Sequence, residues 1–458
     1  MPTPPSSLVF KVHRREPELI PPAKPTPHEL KPLSDIDDQD GLRSQVPGVR
    51  FYRSNPSMQG KDPVKLMREA IAKTLVWYYP LAGRLREGPN RKLIVECTGE
   101  GILFIEADAQ VTLAQFGDTL PPPFPCFEEL LFDVPGSSGI LNCPLILVQV
   151  TRLQCGGFVF AFRFNHTMCD GVGIIQFLSA VNEIAGGSSA PSIIPVLERH
   201  LLNASNPPQV NHQHLEYTEA AKNSNTGFSI FHDAELVHKS FFFGHTEISA
   251  LRNLVPQGGY SSYEILTACL WKCRTVALQL DPEDEVRLLC IVDARNKFKP
   301  PLPKGFYGNA IGITTAVTNV SKLCESPLGY ALELVKKAKA EATEEYMRSV
   351  ASLMVIRGRP HFTTTGCFAV SDTKHFQEVE FGWGKALYSG VAKPGSGAFP
   401  GASYLISYTN NKGEDGIVVP ISLPSLAMER FARELQIMLK NLKPTGDYIA
   451  SKFVKSSL

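Results

Sequence analysis

The residues best suited to chemistry lie in one short stretch, His166-Thr167-Met168-Cys169-Asp170-Gly171. Before it, phenylalanines alternate with other residues from Phe158 to Phe164, which predicts a strand with one buried aromatic face. His166 continues that alternation, so its imidazole is expected to point into the interior, where a polar ring needs a hydrogen-bond partner or a function. After Asp170 the apolar spacing becomes that of a helix that ends at Gly186.

Each of these residues also has a purely structural interpretation. His166 could be a core histidine whose hydrogen bonds are satisfied, and Asp170 stands where a helix N-cap is expected, a role worth about 1 kcal/mol. Cys169 could be a nucleophile beside His166, but free cysteines are usually small core residues. His166 and Asp170 could also ligate a metal, but no third ligand stands near them in the sequence, so no metal site is expected.

A second stretch, far downstream, decides between these interpretations. It reads Val379-Glu380-Phe381-Gly382-Trp383-Gly384-Lys385-Ala386. Together the two stretches resemble the His-x-x-x-Asp-Gly and Asp-Phe-Gly-Trp-Gly motifs of the BAHD family, the plant acyl-CoA-dependent acyltransferases, and the resemblance runs along the whole chain. The chain departs from the family at Glu380, one methylene longer than the usual Asp, so a salt bridge or cap made by that Asp would be shifted.

The resemblance implies a role for each motif residue. His166 is expected to be the general base that takes a proton from an acceptor hydroxyl, and the indole N–H of Trp383 is expected to stabilise the oxyanion that forms. Asp170 should pair with Arg295 rather than relay charge to His166. Glu380 is counted with the catalytic residues, and the glycines of the two motifs are expected to support the site: Gly171, Gly382 and Gly384.

Three serines are expected to lie along the path of CoA: Ser261, Ser262 and Ser371. Ser261 and Ser262 open a predicted helix, whose N-terminus and hydroxyl groups would suit the pantetheine or phosphates of CoA. Simple capping of that helix explains them equally well. The implied co-substrate is acyl-CoA, and no permanently bound cofactor is expected.

The fold that the resemblance implies is α/β, with two chloramphenicol-acetyltransferase-like domains, mixed sheets flanked by helices, and a channel between the domains. At 458 residues the chain also exceeds the size at which a single core usually stops growing. Residues 199–228 are polar with little periodicity, and are the predicted crossover between an N-terminal domain (1–198) and a C-terminal domain (229–458). Within the crossover, His212 and His214 are expected on a solvated loop without a function.

The composition is that of an ordinary globular protein, with 43% hydrophobic and 20% charged residues. A net charge of +1 argues against a large nucleic-acid surface, and no run is long enough to span a membrane. The expected partners are acyl-CoA and a small alcohol, and a monomer is predicted. Ten scattered cysteines indicate reduced thiols and an intracellular, cytoplasmic protein. The C-terminal Ser456-Ser457-Leu458 resembles a degenerate peroxisomal address, and a frayed tail explains it equally well.

Three further stretches resemble the subgroup that makes volatile esters, the benzyl alcohol O-benzoyltransferases and related alcohol acyltransferases: residues 57–63, 124–130 and 357–362. Transfer from benzoyl-CoA to benzyl alcohol, giving benzyl benzoate, is therefore the first hypothesis. Acetyl-CoA or anthraniloyl-CoA with another alcohol is the alternative. A non-catalytic acyl-CoA-binding protein is a hypothesis of another class, whereas a serine or cysteine hydrolase lacks the Gly-x-Ser-x-Gly elbow.

Overall fold

The computed structural model describes residues 8–117, 120–218, 236–364, 366–392, 395 and 401–440. The C-terminal Ser456-Ser457-Leu458 and residues 219–228 of the predicted crossover lie outside these ranges, so what the sequence predicts for them stays a prediction. No helix within the ranges is both long enough and apolar enough to cross a membrane.

The strands are numbered in chain order: β1 (Val12–Arg14), β2 (Glu18–Ile20), β3 (Leu30–Pro32), β4 (Gln45–Tyr52), β5 (Arg84–Glu87), β6 (Leu93–Glu96), β7 (Ile102–Ala109), β8 (Ile146–Leu153), β9 (Phe158–Asn165), β10 (Leu236–Phe243), β11 (Glu285–Asp293), β12 (Ile311–Asn319), β13 (Cys367–Asp372), β14 (Tyr388–Val391), β15 (Ser403–Thr409) and β16 (Asp415–Pro424). The helices are α1 (Pro63–Thr74), α2 (Phe127–Leu130), α3 (Gly171–Ala185), α4 (His245–Arg252), α5 (Ser262–Leu278), α6 (Val320–Glu325), α7 (Leu328–Ala340), α8 (Glu344–Arg357) and α9 (Ser425–Lys440).

The first large sheet has the strand order β1-β7-β8-β9-β4-β14, with β2 also paired to β7. Only β7 and β8 run parallel, so the sheet is mixed. Its aromatic face is the one predicted from the alternation in β9: Phe158, Phe160, Phe162 and Phe164 are all buried in one core with α1 and α3. Burial of each such ring contributes about 1.5–3 kcal/mol, which fixes the register of β9 and therefore the direction of the residue that follows it.

Helix α3 begins where the sequence predicts, because the side chain of Asp170 caps it by accepting a hydrogen bond from the backbone N–H of Gly173 at 2.9 Å. The helix also lies very close to the segment around Tyr307. A Cβ atom at Gly173 would stand 2.0 Å from the backbone oxygen of Tyr307, so only glycine permits this approach. The contact brings the first turn of α3 against a segment of the C-terminal half.

The second large sheet has the order β10-β16-β15-β13-β11-β12, and it is also mixed, because β13 runs parallel to both β11 and β15. Helix α5 is almost entirely buried and packs with α7 and α9 against this sheet. A small third sheet, β3-β6-β5, completes the first half. The predicted α/β architecture of two mixed sheets flanked by helices is confirmed.

One strand crosses between the two halves of the chain. β14 follows the Trp383 motif, yet it pairs antiparallel with β4 at the edge of the first sheet, with Val391 opposite Gly48 and Ser389 opposite Arg50. The boundaries at 198 and 229 stay a prediction. The pairing of β14 with β4 joins the two halves of the chain in addition to the crossover segment.

The crossover segment differs from its prediction at two histidines. His214 is buried, with its Nδ1 2.9 Å from Oε1 of Glu216 and its Nε2 2.8 Å from the hydroxyl of Ser349 on α8. His212 is half-buried, and its backbone N–H donates to the same Ser349 hydroxyl at 3.2 Å. The expectation of a solvated loop is therefore wrong here, because a polar composition does not reveal that α8 supplies partners for these groups.

All ten cysteines are free thiols, as their scattered positions predict. Cys169, the neighbour of the candidate base, is fully buried, and burial raises the pKa of its thiol well above the usual value. A protonated thiol is a poor nucleophile, so the structure gives Cys169 a packing role only.

Candidate active site

His166 lies directly after β9, where its backbone N–H donates to the oxygen of Ser44 at 2.9 Å. Its ring is on the same face as Phe162 and Phe164, and all three line a cavity of about 150 Å³, which we call the inner cavity. The ring centroid lies 5.8 Å from that of Phe164. The prediction that the imidazole points to the interior is confirmed, and what it faces is a cavity rather than close-packed core.

The side-chain amide of Asn309 determines which nitrogen of His166 carries the proton. The amide nitrogen Nδ2 donates to a carboxylate oxygen of Asp37 at 2.9 Å and to the backbone oxygen of His166 at 2.7 Å. Both of these partners can only accept, so the amide oxygen is the atom that lies 3.1 Å from Nδ1 of His166. Nδ1 is therefore protonated in the neutral ring, and Nε2 has a free lone pair.

Asp37 and Arg199 hold Asn309 in place. Asp37 is fully buried, accepts a second hydrogen bond from the backbone N–H of Asn309 at 2.8 Å, and pairs with Arg199 at 3.0 Å. Sequence reasoning missed this set, because its members come from three distant parts of the chain. The available signal was weak: an Asn that closes the turn Gly305-Phe306-Tyr307-Gly308-Asn309.

Burial is the largest influence on the pKa of His166, and it lowers that pKa below the usual value near 6.5. Its backbone, Asp170, Asn309 and Asp37 act in the opposite direction without overcoming burial. The imidazole is therefore neutral at pH 7, the protonation state that a general base requires.

Asp170 faces away from His166, as the resemblance implies. Its Oδ1 lies 2.8 Å from Nη2 of Arg295, and its Oδ2 accepts from the backbone N–H of Ala310 at 3.0 Å. Burial alone would raise the pKa of this carboxyl, but Arg295 and the backbone N–H donors outweigh it and keep the pKa below its usual value. The ion pair joins the start of α3 to the end of β11, so it fixes the two halves of the chain beside the histidine.

A second, larger cavity of about 710 Å³, the outer cavity, adjoins the inner one. This volume lies within the range of about 300–1,000 Å³ typical of ligand pockets. The two cavities share five lining residues: Val172, Ile291, Asp293, Asp372 and His375. Together they form a passage lined on one side by β4, β9 and α3 and on the other by β11, β12 and β13, which is the predicted channel between the domains.

The three predicted CoA serines differ in their surroundings. Ser261 caps α5: its backbone N–H donates to the carboxylate of Glu264 at 2.8 Å and its hydroxyl accepts from the backbone N–H of Glu264 at 3.3 Å. Ser262 accepts from the ammonium group of Lys374, a residue that lines the outer cavity, at 3.2 Å. Ser371 lines the inner cavity. The structure thus places Ser262 and Ser371 along the channel and gives Ser261 the capping role.

The structure does not bring Trp383 to His166. The indole is buried edge-on against Phe158, with ring centroids 5.0 Å apart, at the beginning of β9, whereas His166 follows its end. A strand rises by about 3.3 Å per residue, so roughly 23 Å lies between Phe158, which the indole contacts, and Asn165, which precedes His166. In this structure Trp383 packs at the other end of the strand from His166, which does not favour its predicted role as oxyanion donor, and that role stays a prediction.

The rest of this motif forms a tight turn. Gly382 and Gly384 both have a backbone φ of 84°, a left-handed conformation that favours glycine. Glu380 is exposed, and its backbone oxygen accepts from the N–H of Trp383 at 2.9 Å. The turn is tied to α3 by the N–H of Phe381, which donates to the side-chain oxygen of Asn182 at 2.6 Å. These residues support the turn and are not among those that line the inner cavity, so the predicted catalytic role of Glu380 stays a prediction that the structure does not favour.

The residues of the first motif remain beside the histidine. Gly171 lines the inner cavity, and a Cβ atom there would stand 3.2 Å from the ring of Phe376, which lines the same cavity. Within the described ranges, no group of three or more His, Cys, Asp or Glu side chains is arranged to hold a metal ion.

The chain is similar to known proteins over nearly its whole length. A family model described as the transferase family matches residues 10–438. Over 440 residues, 95% of each chain, it is 61% identical to the benzyl alcohol O-benzoyltransferase of Petunia hybrida and 62% identical to that of Nicotiana tabacum. The crystal structure of vinorine synthase shares the fold, with a TM-score of 0.70 at 21% identity, over 93% of this chain and 98% of that one.

Proposed function

Since this chain belongs to the transferase family of BAHD acyl-CoA-dependent O-acyltransferases, we propose that it transfers a benzoyl group from benzoyl-CoA to benzyl alcohol, with His166 as general base. One observation carries the assignment of the base. The Nδ1 atom of His166 is held by Asn309, so a neutral Nε2 is left to accept a proton in a cavity between the two halves of the chain.

The reaction needs no covalent enzyme intermediate. Nε2 of His166 takes the hydroxyl proton of the alcohol as its oxygen attacks the thioester carbonyl carbon. The tetrahedral intermediate collapses with cleavage of the carbon–sulfur bond, and the CoA thiolate recovers the proton from the imidazolium. His166 ends neutral, so one ester and one CoA are formed in each turnover.

The lining of the inner cavity supports an aromatic substrate. Phe162, Phe164, Phe376 and Tyr404 surround the space next to His166. Aromatic rings pack well against one another, in offset or edge-on contacts worth about 0.5–1.5 kcal/mol beyond the area that they bury. The names of the Petunia and Nicotiana relatives point to the same pair of substrates. Acetyl-CoA or anthraniloyl-CoA with another alcohol is the alternative that a donor series would reveal.

A thiol-release assay tests the proposal. Purified protein is given benzoyl-CoA or acetyl-CoA, each with and without benzyl alcohol, and the ester is identified by mass. We expect CoA release that depends on the alcohol and is faster with benzoyl-CoA. His166→Ala should lower turnover by about 10²–10⁴-fold, whereas the matched control His200→Ala, at an exposed position, should not change it.

Each other outcome contradicts part of the proposal. CoA release without alcohol would identify a thioesterase. Binding of acyl-CoA without any release would favour a non-catalytic binding protein. Full activity in folded His166→Ala would show that His166 is not the general base.

A further inference from the structure

Arg50 is a fully buried arginine in the middle of β4, with 1% of its surface exposed. Its Nε, Nη1 and Nη2 have no partner at good hydrogen-bond geometry among the residues that the structure describes, and no described carboxylate pairs with it. The other arginines near the site are satisfied: Arg199 pairs with Asp37, and Arg295 pairs with Asp170. A buried guanidinium without a partner is costly, because charge is taken from water without compensation.

The polar group with most influence on Arg50 does not neutralise it. Tyr52 lies two residues further along the strand, and the charge of its hydroxyl together with a poorly aligned contact to the guanidinium counteracts the burial that lowers the pKa of Arg50. Its hydroxyl donates to the backbone oxygen of Val379 at 2.7 Å, however, and burial raises the pKa of Tyr52 to about 12. Tyr52 therefore stays neutral and supplies no counter-charge.

Arg50 is on the face of β4 that forms the inner cavity. Val46 and Gly48 line that cavity, and residues at alternate positions of a strand share a face, so Arg50 is the next side chain along the same wall. The strand beside it repeats the pattern: Val391 lines the cavity opposite Gly48, and Ser389 stands opposite Arg50. Arg50 therefore lies just beyond the inner cavity, at the end that is farther from His166.

Gly48 leaves this end of the cavity without a side chain of its own. A Cβ atom there would stand 2.5 Å from the ring of Phe162, so that ring now covers the glycine. On the other side, the hydroxyl of Ser389 donates to the backbone oxygen of Phe376 at 2.7 Å and supports a second aromatic wall. A group in the cavity therefore has to displace the ring of Phe162 to approach the guanidinium.

We propose that Arg50 binds a carboxylate at the far end of the substrate group that occupies the inner cavity. The inference rests on the proposed function, because it takes that cavity as the place of acyl transfer. Arg50 is opposite Phe160 in the sheet, and His166 follows Phe160 by six positions. At about 3.3 Å per residue the backbones are roughly 20 Å apart. The side chains of Arg50 and His166 extend into this interval. The space between them fits a short or para-substituted group with a reactive end and an anionic end.

Matched acid and neutral probes test the proposal and distinguish acceptor from donor. For the acceptor, 4-(hydroxymethyl)benzoate is compared with its methyl ester. For the donor, glutaryl-CoA is compared with pentanoyl-CoA, using benzyl alcohol as acceptor. Each probe is measured by calorimetric binding and by kcat/KM in the wild type, Arg50→Met, Arg50→Lys and the exposed control Arg348→Met.

We expect the wild type to bind at least one of the two acids. Arg50→Met should weaken its binding by tenfold or more and change the neutral partner less than threefold, because an arginine fork makes two charge-assisted hydrogen bonds to a carboxylate. Arg50→Lys should bind the acid with an affinity between those of the wild type and Arg50→Met, because lysine keeps the positive charge but cannot make the two parallel hydrogen bonds of arginine. Without ligand, Arg50→Met should melt at a higher temperature than the wild type.

Two outcomes would overturn the proposal: no binding of either acid by the wild type, or equal effects of Arg50→Met on acid and neutral probes. Binding is measured without turnover, and benzoyl-CoA with benzyl alcohol is assayed in parallel. Failure of the proposed function and failure of the carboxylate site are therefore seen separately. If Arg50→Met does not fold, the comparison of Arg50→Lys with the wild type decides.

Discussion

Asn309 holds the candidate base at two points: its Oδ1 lies 3.1 Å from Nδ1 of His166, and its Nδ2 donates to the backbone oxygen of the same residue at 2.7 Å. The amide cannot turn over, because Nδ2 also donates to Asp37 at 2.9 Å and an oxygen there would face a carboxylate. Ring orientation and tautomer are therefore set by one side chain that comes from the other half of the chain.

The first prediction concerns this positioning. Asn309→Ala should lower kcat by about 10–100-fold, the usual loss when a group that orients a functional histidine is removed from a metal site. KM for benzoyl-CoA should change little, because the amide faces His166 and Asp37 rather than the channel. The measurement is kcat and KM as a function of pH. Without Asn309 the ring of His166 would exchange tautomers, and the fall of kcat at acidic pH would shift.

Asn319→Ala is the matched control, because that side chain donates only to the backbone oxygen of Glu283, far from the cavity. It should keep wild-type kinetics. If Asn309→Ala melted at a lower temperature but kept both kcat and the pH profile, the amide would be structural only.

The second prediction concerns the ion pair of Asp170 and Arg295. Asp170→Ala should destabilise the protein by about 3–5 kcal/mol, because it leaves a mostly buried guanidinium without its partner. The folded fraction should keep turnover within about tenfold, since the carboxylate makes no hydrogen bond to His166. Chemical denaturation, with kinetics corrected for the folded fraction, measures both effects.

A double-mutant cycle with Arg295→Met isolates the pair, and the double variant should be more stable than the sum of the single losses implies. The surface pair Glu344 and Arg348 on α8 is the control, at 2.7 Å but with the arginine half exposed. Its removal should cost less than about 1 kcal/mol. A wild-type melting temperature with abolished turnover in Asp170→Ala would contradict the structural role.

The third prediction is a pH dependence. Burial lowers the pKa of His166 from its usual value near 6.5, and only the neutral ring accepts a proton. The value of kcat/KM should therefore be level from pH 7 to 8 and fall towards acid with a midpoint below 6.5. His166→Ala should lose this limb in its residual activity. A midpoint above 7 would mean that another group titrates or that the ring is not desolvated.

The same shift acts on stability with a definite sign. The unfolded chain binds a proton at His166 more readily than the folded chain does, so this group's contribution is present above about pH 6.5 and is lost as the pH falls below it. Asp170, whose pKa is also lowered, contributes above its usual value near 3.8 and loses that contribution at more acidic pH. As the pH is lowered, the loss of stability should therefore begin with the protonation of His166.

The sequence predicted the features that are local. The alternation of phenylalanines gave β9 and the inward direction of His166, and the apolar spacing after Asp170 gave α3. Both follow from periodicities of two and 3.6 residues that a short stretch displays completely. The pairing of Asp170 with Arg295 was anticipated only through resemblance, since 125 positions separate the partners.

Non-local features could not be predicted in this way. Asp37 and Asn309 come together over 272 positions, and no spacing rule links them. His214 stands in a polar stretch, yet α8 encloses it. Strand β14 pairs with β4 although it belongs to the later half of the chain. In each case the partner is supplied by tertiary packing, which leaves no periodic signal near either residue.

The final prediction concerns Trp383, whose indole packs against Phe158 and not beside His166. Trp383→Phe should keep kcat within about threefold, because ring packing is largely preserved and no N–H reaches the oxyanion. Trp383→Ala should destabilise the protein by about 3–5 kcal/mol through the cavity that it creates, with nearly normal kinetics in the folded fraction. Circular dichroism melting and thiol release separate the two effects. A hundredfold loss of kcat in Trp383→Phe at an unchanged melting temperature would restore a catalytic role to the indole, and would require the turn at Gly382 and Gly384 to move towards the channel during turnover.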